Sequence, residues 1–524
     1  MIDGPKDGHC ARAARAAGPV ILLGLSLLVS GCASERSLYG GLQGRRMEAY
    51  HQWRRARNSE QASQTRLKGE LALEDALKLA LTHNKSLQSA LQEEQVSRGK
   101  VTEAYSNVLP SLTATAGYTR LDEVPGFDVG GQSVSIGDVD NYSAGLEVKQ
   151  PLFRGGGIRA AWRAARWYSL LANETVRGAV QGVIYEVAHA YYDTLLAQHL
   201  YEVNRDAVES AKAHLRDVQV KRDRGIASDF DVLRAEVDVS LFEADMIQQQ
   251  NQIHLAKTRL LRAVGVSQDS EVTLSGELTY SPMKPVLDEA VRLAYQNRPD
   301  LYQAGLSVEL QREALSIARS QYWPKVDAWF RQQWAKPEPH TSRVEWGDAW
   351  TAGISLNCHL FDGLGREGRV LQEKARLRQH EVQLVDAEER ALLEIRQAIL
   401  SLRDAEEFVQ SQRMNLERAK EALRLAEAQY QQGITSAVTV TEARAALTRA
   451  QGLYYQAVYG HTVARLDLQR AMGILGPRAG QPPAEAKPPV RPGEIEQFST
   501  GEESGSSQPS APSAPPAGEN KGEQ

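Results

Sequence analysis

The sequence contains few cysteines and few aromatic residues. Only three of its 524 residues are cysteines, and aromatic residues make up 6%. Long stretches rich in Ala, Gln, Glu, Arg and Leu are present instead, which is typical of extended helices rather than of several compact cores. The net charge is only −5, and basic and acidic residues are mixed along the chain, so the composition gives no support to nucleic-acid binding.

Motifs for catalysis are also lacking. The sequence contains no HExxH and no CxxC motif, and its 11 histidines share no spacing. One literal GxGxxG, at 363–368, lies between a predicted strand and a predicted helix, where a dinucleotide site would place it. That helix is far longer than a βαβ unit allows, and the equivalent segment 155–160 lacks the pattern. We therefore expect no enzyme, no cofactor and no metal.

Long apolar runs are absent except near the N-terminus. Residues 20–29 form an apolar run that follows several basic residues and is too short for a spanning helix, as in a signal peptide. The run ends in Leu28-Val29-Ser30-Gly31-Cys32, which resembles a bacterial lipobox and predicts a lipidated Cys32. We expect a signal peptide over 1–31 and an extended, lipid-linked tether over 32–70. Any membrane crossing must then be made by strands.

What the sequence does contain is an internal repeat. Leu73–Ala80 reappears as Leu287–Ala294 at an offset of 214, and Gly225–Ser228 reappears as Gly433–Ser436 at an offset of 208. The length difference lies between Pro110 and Phe153. Matches this far apart, with one local change in length, describe a duplicated unit much longer than a solenoid repeat.

The repeat sets the expected boundaries. Repeat 1 is predicted over 71–265 and repeat 2 over 285–473, with an inter-repeat linker over 266–284. Residues 474–524 are rich in Pro, Gly, Ser and Glu, and we expect a disordered tail there.

Each repeat contains two segments in which apolar and small polar residues alternate. They predict strands at about 111–121, 141–153, 325–335 and 348–361. Each is close to the ~9–11 residues that cross a membrane when tilted. An apolar face outward and a polar face inward is typical of an outer-membrane barrel. A soluble, half-buried sheet is the alternative.

Helices make up the rest of each repeat. Two shorter helices precede the strands (about 71–83 and 84–108; about 285–297 and 299–322), a long one follows them (about 158–222; about 366–430), and a last one ends the repeat (about 229–264; about 437–472). Leu402, Val409, Leu416, Leu423 and Tyr430 recur at steps of seven and predict a coiled-coil seam. The turns 225–228 and 433–436 reverse the chain.

This order of elements resembles the TolC-like outer-membrane efflux proteins, particularly their lipidated members, the outer-membrane factor lipoproteins. The resemblance covers 71–473 and rests on Leu109-Pro110 and Trp323-Pro324 before the strands, on Leu152-Phe153 and Leu360-Phe361 after them, and on the two turns. It implies a mainly α fold with a small antiparallel β part. Three chains would form a 12-stranded transmembrane β-barrel, continued by a periplasmic α-helical coiled-coil barrel.

The resemblance also implies a function. It predicts an outer-membrane exit duct of a tripartite efflux or type I secretion system, which passively carries substrate. The implied partners are two further copies of the chain, a periplasmic adaptor, an inner-membrane pump and outer-membrane lipid, with no nucleic acid. The alternative is a lipid-anchored structural coiled-coil protein of the periplasm without a pore.

The resemblance also implies functional residues, at the positions that serve these roles in similar efflux proteins. The adaptor-contacting tips would be Gly225, Ile226, Ala227, Ser228, Gly433, Ile434, Thr435 and Ser436. The periplasmic gate would be formed by Val438, Glu442, Phe230 and Arg234, with acid and base in alternation. Ordinary turn chemistry and solvated helix charges are the plain alternatives for these two sets.

Overall fold

The computed structural model describes residues 35–58, 67–124, 126–129, 132–135, 137–340 and 343–477. The chain divides into two units, Met1–Lys68 and Gly69–Gln524. The expected signal peptide and Cys32 lie outside the described residues, as does nearly all of the expected tail.

The first unit holds one described helix, α1 (Glu35–Asn58). The expectation of an extended tether is wrong for this segment. It contains no proline and no β-branched residue, and it is rich in Arg, Gln and Glu, which favour helix.

The second unit begins with the elements of repeat 1. They are β1 (Lys68–Leu71), α2 (Leu73–His83), α3 (Lys85–Ser106), β2 (Ser111–Arg120), β3 (Gly126–Val129), β4 (Gln132–Ser135), β5 (Asp140–Phe153), α4 (Gly157–Asp223) and α5 (Asp229–Val264). Repeat 2 follows as β6 (Glu271–Leu274), α6 (Leu287–Asn297), α7 (Pro299–Ser320), β7 (Lys325–Lys336), β8 (Gly347–Asn357), α8 (Gly365–Gln431) and α9 (Ala437–Ala471). The long helices α4 and α8 have 67 residues each, which corresponds to about 100 Å at ~1.5 Å per residue.

The four long strands form one antiparallel sheet in the order β2-β5-β7-β8. Repeat 1 and repeat 2 meet at the β5–β7 pair. Strand β8 ends at Asn357 and not near 361 as expected, because Asn357 lies opposite Lys325, where β7 begins after Pro324. Strands β2 and β8 each have one neighbour in this sheet, so both are edge strands.

Two short pairings were not anticipated. Strands β3 and β4 form a hairpin in the loop between β2 and β5, which is longer than the loop between β7 and β8. Strands β1 and β6 pair with each other, so the inter-repeat linker is partly ordered. The Tyr191 hydroxyl of α4 donates to the carbonyl of Leu71 over 3.1 Å and also contacts the carbonyl of Ser275, which fixes this pair to the helices.

The helices of each repeat form a long hairpin. Helix α4 packs against α5, and α8 packs against α9. Leu402, Val409 and Leu416 of the predicted seam are buried. None of the helices in the described parts combines the length and the apolar character that crossing a bilayer requires.

The ends of the two hairpins are built in the same way. Gly265 and Gly473 have φ of 86° and 71°, in the left-handed region. A Cβ at Gly473 would lie 2.8 Å from the amide nitrogen of Arg298, and a Cβ at Gly265 would clash with the carbonyl of His83. Glycine is therefore required at both positions, because the chain passes against the junction between two short helices each time.

Candidate functional site

One face of the sheet is apolar and exposed. The register places Leu356 opposite Val326, and Phe330 opposite Val148, so the apolar positions of neighbouring strands fall on the same face. Ile354 and Leu356 are 73% and 69% exposed. A soluble protein would bury a continuous face of this kind against a second layer. The exposed face therefore argues against the soluble-sheet alternative and fits contact with lipid.

The opposite face is polar. Its small members are Ser111, Thr113, Thr115, Gly117, Ser143, Gly145, Thr351, Gly353 and Ser355. It also carries ion pairs. Arg331 donates to the Glu147 carboxylate over 2.9 and 2.5 Å. Asp327 is buried, lies 3.5 Å from Lys149 and also pairs with Arg154. Glu147 and Asp327 are therefore each paired with at least one basic side chain on this face.

Trp329 is a polar-face residue that the sequence analysis missed. It lies opposite Gly353, and a Cβ at Gly353 would be 3.0 Å from its ring carbon Cζ2. The Arg331 guanidinium lies 5.8 Å from the centre of the indole ring. Its place in the strand could have revealed it, because residues 327, 329 and 331 alternate onto the same face and Gly353 lies opposite position 329.

The glycines of the GxGxxG segment lie where the chain turns from strand β8 into helix α8. Gly363 has φ of 67°, and Leu364 also adopts a positive φ of 69°. Asp362 accepts from the backbone N–H of Arg366 over 3.1 Å and pairs with its guanidinium. Gly155 and Gly156 hold positive φ at the equivalent turn before α4. A sharp turn accounts for the glycines of both segments.

The two tips share their backbone geometry. Gly225 and Gly433 have φ of 73° and 71°. The N–H of Ile226 donates to the carbonyl of Lys221 over 2.8 Å, and that of Ile434 to Gln429 over 2.9 Å. These bonds close the ends of α4 and α8 in a Schellman arrangement. They leave Ile226 and Ile434 73% and 69% exposed, so each tip presents an apolar side chain.

The tips differ in charge. At the first tip, the Ser228 hydroxyl accepts from the N–H of Asp231 and donates to its carboxylate, which forms a capping box at the start of α5. Hydrogen bonds from Ser228 hold the pKa of Asp231 below its usual value, with a smaller contribution from Arg234. At the second tip Thr439 occupies the equivalent position, and Thr435 donates to its hydroxyl over 3.0 Å.

The predicted gate residues lie just past the tips, on different hairpins. Phe230 is 68% exposed, and Arg234 on the same helix is half-buried. Val438 is half-buried and Glu442 is exposed, one turn further along α9. Within the described residues no ion pair joins Arg234 to Glu442 in one chain.

A polar cluster near the tips joins the two hairpins. His214 of α4 is buried, with its ring 6.2 Å from that of Tyr430 on α8. The Lys221 ammonium lies 3.8 Å from the centre of the same tyrosine ring. Arg444 of α9 donates to Glu427 over 2.9 Å. Burial lowers the pKa of His214, and Arg444 lowers it further.

Comparison with known proteins identifies the chain. Residues 76–266 and 290–474 match the outer membrane efflux protein family. The chain belongs to this family. As a member of this efflux family it is an outer-membrane protein that reaches into the periplasm and serves as an exit duct.

Individual relatives of this efflux family are distant but cover most of the chain. The pyoverdine export outer membrane protein OpmQ of Pseudomonas aeruginosa is 24% identical over 412 residues, 76% of this chain and 85% of OpmQ. The toluene efflux pump outer membrane protein TtgC of Pseudomonas putida is 21% identical over 409 residues, 77% of this chain and 83% of TtgC. The structure of VceC from Vibrio cholerae matches with a TM-score of 0.66 at 21% identity, over 76% of this chain and 96% of VceC.

These comparisons confirm the predicted family. They also confirm a mostly helical fold with a small sheet, as in the solved channels of the TolC family.

The buried histidine generates a pH prediction. The pKa of His214 lies below its ordinary value of 6.5, so the folded state binds its proton less readily than the unfolded state. The free energy of unfolding therefore keeps its full value above about pH 6.5. It decreases as the pH falls below that value, because the unfolded state takes up the proton more readily. Thermal unfolding between pH 7.5 and pH 5 should show a smaller acid-induced loss in His214→Gln than in the wild type.

His254, which is exposed on α5, provides the matched control. His254→Gln should leave the pH profile of the wild type unchanged. A His214→Gln profile that parallels the wild type would show that this histidine does not couple the hairpins to pH.

Proposed function

We propose that three copies of the chain close into a ring and form the exit duct of a tripartite efflux or type I secretion system. The proposal rests on an asymmetry in the contacts between the two repeats. One set of elements joins them within the chain, while among the described elements the symmetry-equivalent set does not. Within one chain, repeat 1 meets repeat 2 through the pairs β5–β7, α4–α7 and α4–α9. When each element is replaced by its counterpart in the other repeat, these pairs become β8–β2, α8–α3 and α8–α5. The described elements make no extensive contact of that second kind within one chain.

The surfaces for the second set of contacts are exposed. Leu393 and Leu400 of α8 are 62% and 59% exposed, and Leu233, Val237 and Leu241 form an exposed stripe on α5. A neighbouring copy can cover both surfaces by supplying its own repeat 1. Strand pairing between β8 and the neighbour's β2 also removes the open sheet edges, which are costly in lipid.

The width of the duct favours three copies. Four strands per chain give eight strands in a dimer, and the interior of an eight-stranded barrel is filled by side chains. Twelve strands leave a lumen. In that ring the polar face with the Glu147–Arg331 pair would line the water-filled path, and the exposed apolar face would meet lipid. A structural spacer without a pore has no use for a polar inner face.

The tips provide the proposed contact with the periplasmic partners. Ile226 and Ile434 are exposed at the ends of the hairpins farthest from the sheet. We propose that these apolar side chains and the turn residues around them meet the hairpins of a periplasmic adaptor, which connects the duct to an inner-membrane pump. OpmQ is named for pyoverdine and TtgC for toluene, so similarity to these relatives does not identify the substrate that this chain transports.

The repeat symmetry predicts the register between copies. Gln150 lies opposite Ala328 in the β5–β7 pair, and the offsets of 208 and 214 convert this pair into Cys358 opposite Ala114 of the neighbouring copy. Cys358 is an exposed free thiol. Ala114→Cys should therefore give covalent dimers and trimers on a non-reducing gel after mild oxidation, because Cβ atoms directly opposite are ~4.5–5.5 Å apart.

Two variants serve as controls for this crosslink. Thr113→Cys places the thiol on the opposite face and should crosslink poorly, and Cys358→Ser should abolish the product. Crosslinking that is stronger from position 113 than from position 114 would contradict the proposed register and ring.

The gate follows from the same ring. Three copies would bring three Arg234 side chains and three Glu442 side chains into alternation beside Phe230 and Val438. Partly solvated ion pairs are worth ~0.2–1 kcal/mol each, so together they bias a closed entrance without locking it. Glu442→Ala and Arg234→Ala should each raise the resting leak conductance. The charge swap Arg234→Glu with Glu442→Arg should restore closure. Single variants as tight as the wild type would exclude this gate.

A further inference from the structure

Helix α1 carries an exposed apolar arc. At ~100° per residue, Tyr39, Leu42, Tyr50 and Trp53 fall within about 120° of the helix circumference. They are 67%, 46%, 45% and 56% exposed. The rings of Tyr50 and Trp53 are stacked with their centroids 6.0 Å apart. Aromatic residues with an aliphatic neighbour on one side of a helix are typical of segments that lie in a membrane interface.

Arginines flank this arc. Arg45 borders it on one side and Arg54 on the other, and both are exposed. Arg46 and Arg55 add to the positive charge, and Glu48, on the far side of the helix, is the one acidic residue between 39 and 55. Guanidinium groups bind phosphate oxygens well, so the rim of the arc is complementary to anionic lipid head groups.

We propose that α1 lies flat on the periplasmic leaflet of the outer membrane, with its apolar arc at the head-group boundary and its arginines on anionic phospholipids. Lipid fits this surface better than a second helix does. Arg46 falls inside the arc, where it would break a helix–helix seam, whereas at a bilayer its long side chain reaches the head groups.

The position of α1 in the chain supports the same occupant. This step rests on the lipidation of Cys32 that the lipobox predicts. Helix α1 begins at Glu35, and three residues span at most ~10 Å, so an acylated Cys32 holds the start of α1 at the bilayer surface. Lipid chains without a second contact give weaker anchoring, and a basic amphipathic helix is a common second contact.

The test uses the full-length protein in a Cys358→Ser background. An environment-sensitive NBD label is attached at Leu42→Cys, on the arc, or at Glu48→Cys, on the far side. In vesicles of phosphatidylethanolamine and phosphatidylglycerol, the label at 42 should gain emission several-fold and be quenched by doxyl lipids. The label at 48 should stay water-like. Arg45→Gln with Arg54→Gln, or vesicles of phosphatidylcholine, should reverse the gain at 42.

Three results would overturn the proposal. In the first, the label at 42 stays water-like in the anionic vesicles. In the second, the label is equally protected in detergent without lipid, which means that protein covers the arc. In the third, the protection vanishes in Cys32→Ser, which means that the acyl chains alone hold the helix. The mass of the N-terminal peptide reports lipidation, and the crosslink between Cys358 and Ala114→Cys, measured separately in protein that keeps Cys358, reports the ring. Failure of either is therefore distinguishable from failure of the α1 contact.

Discussion

The pairing of β5 with β7 is the contact on which the rest of the structure depends. It joins the two repeats into one sheet and sets the side-chain faces of all four strands. It also leaves β2 and β8 as edges whose backbone groups need partners, and in lipid each unpaired group costs several kcal/mol. The same arrangement recurs in the helices, where α4 contacts repeat 2 and α8 makes no extensive equivalent contact with repeat 1 among the described elements. Ring closure is the simplest way to satisfy sheet and helices together.

The repeats have diverged where their neighbours differ. Within the chain, Tyr185 of α4 donates to Asp467 of α9 over 2.6 Å. Burial and the neighbouring Asp467 raise the pKa of that tyrosine to about 12, so the hydroxyl keeps its proton. The equivalent position on α8 is the exposed Leu393. The contact inside one chain thus uses a partly buried hydrogen bond. The exposed surface around Leu393, which we propose meets another copy, is apolar and can assemble without leaving a polar group unpaired.

Periodicity predicted the elements whose environment is regular. Alternation located β2, β5, β7 and β8, and the seven-residue spacing located the buried side of α8, because in both cases the period of the backbone is repeated in the side chains. Alternation did not predict where β8 ends, because the last paired residue of β8 is set by the residue at which β7 begins. Helix α1 was missed because its apolar residues are few and Arg46 lies among them, which weakens the helical period in the sequence. Strands β1 and β6 have four residues each, too few to show alternation.

The site was predictable only in part for a similar reason. The tip turns were visible because glycine, isoleucine and serine recur at a fixed offset. The cluster of His214, Tyr430 and Arg444 depends on how three helices align along their length, which no local pattern in the sequence contains. Trp329 was hidden because its polar-face position is decided by the register with Gly353.

The most direct test of the account is single-channel recording with a thiol placed on either face of β8, in a Cys358→Ser background. Thr351 belongs to the polar face and Ala352 to the apolar face. A charged, membrane-impermeant methanethiosulfonate should reduce the conductance of the Thr351→Cys channel in steps, since the label enters the lumen. It should leave the Ala352→Cys channel unchanged. Absence of channels, or block at position 352 instead of 351, would contradict a duct lined by the polar face.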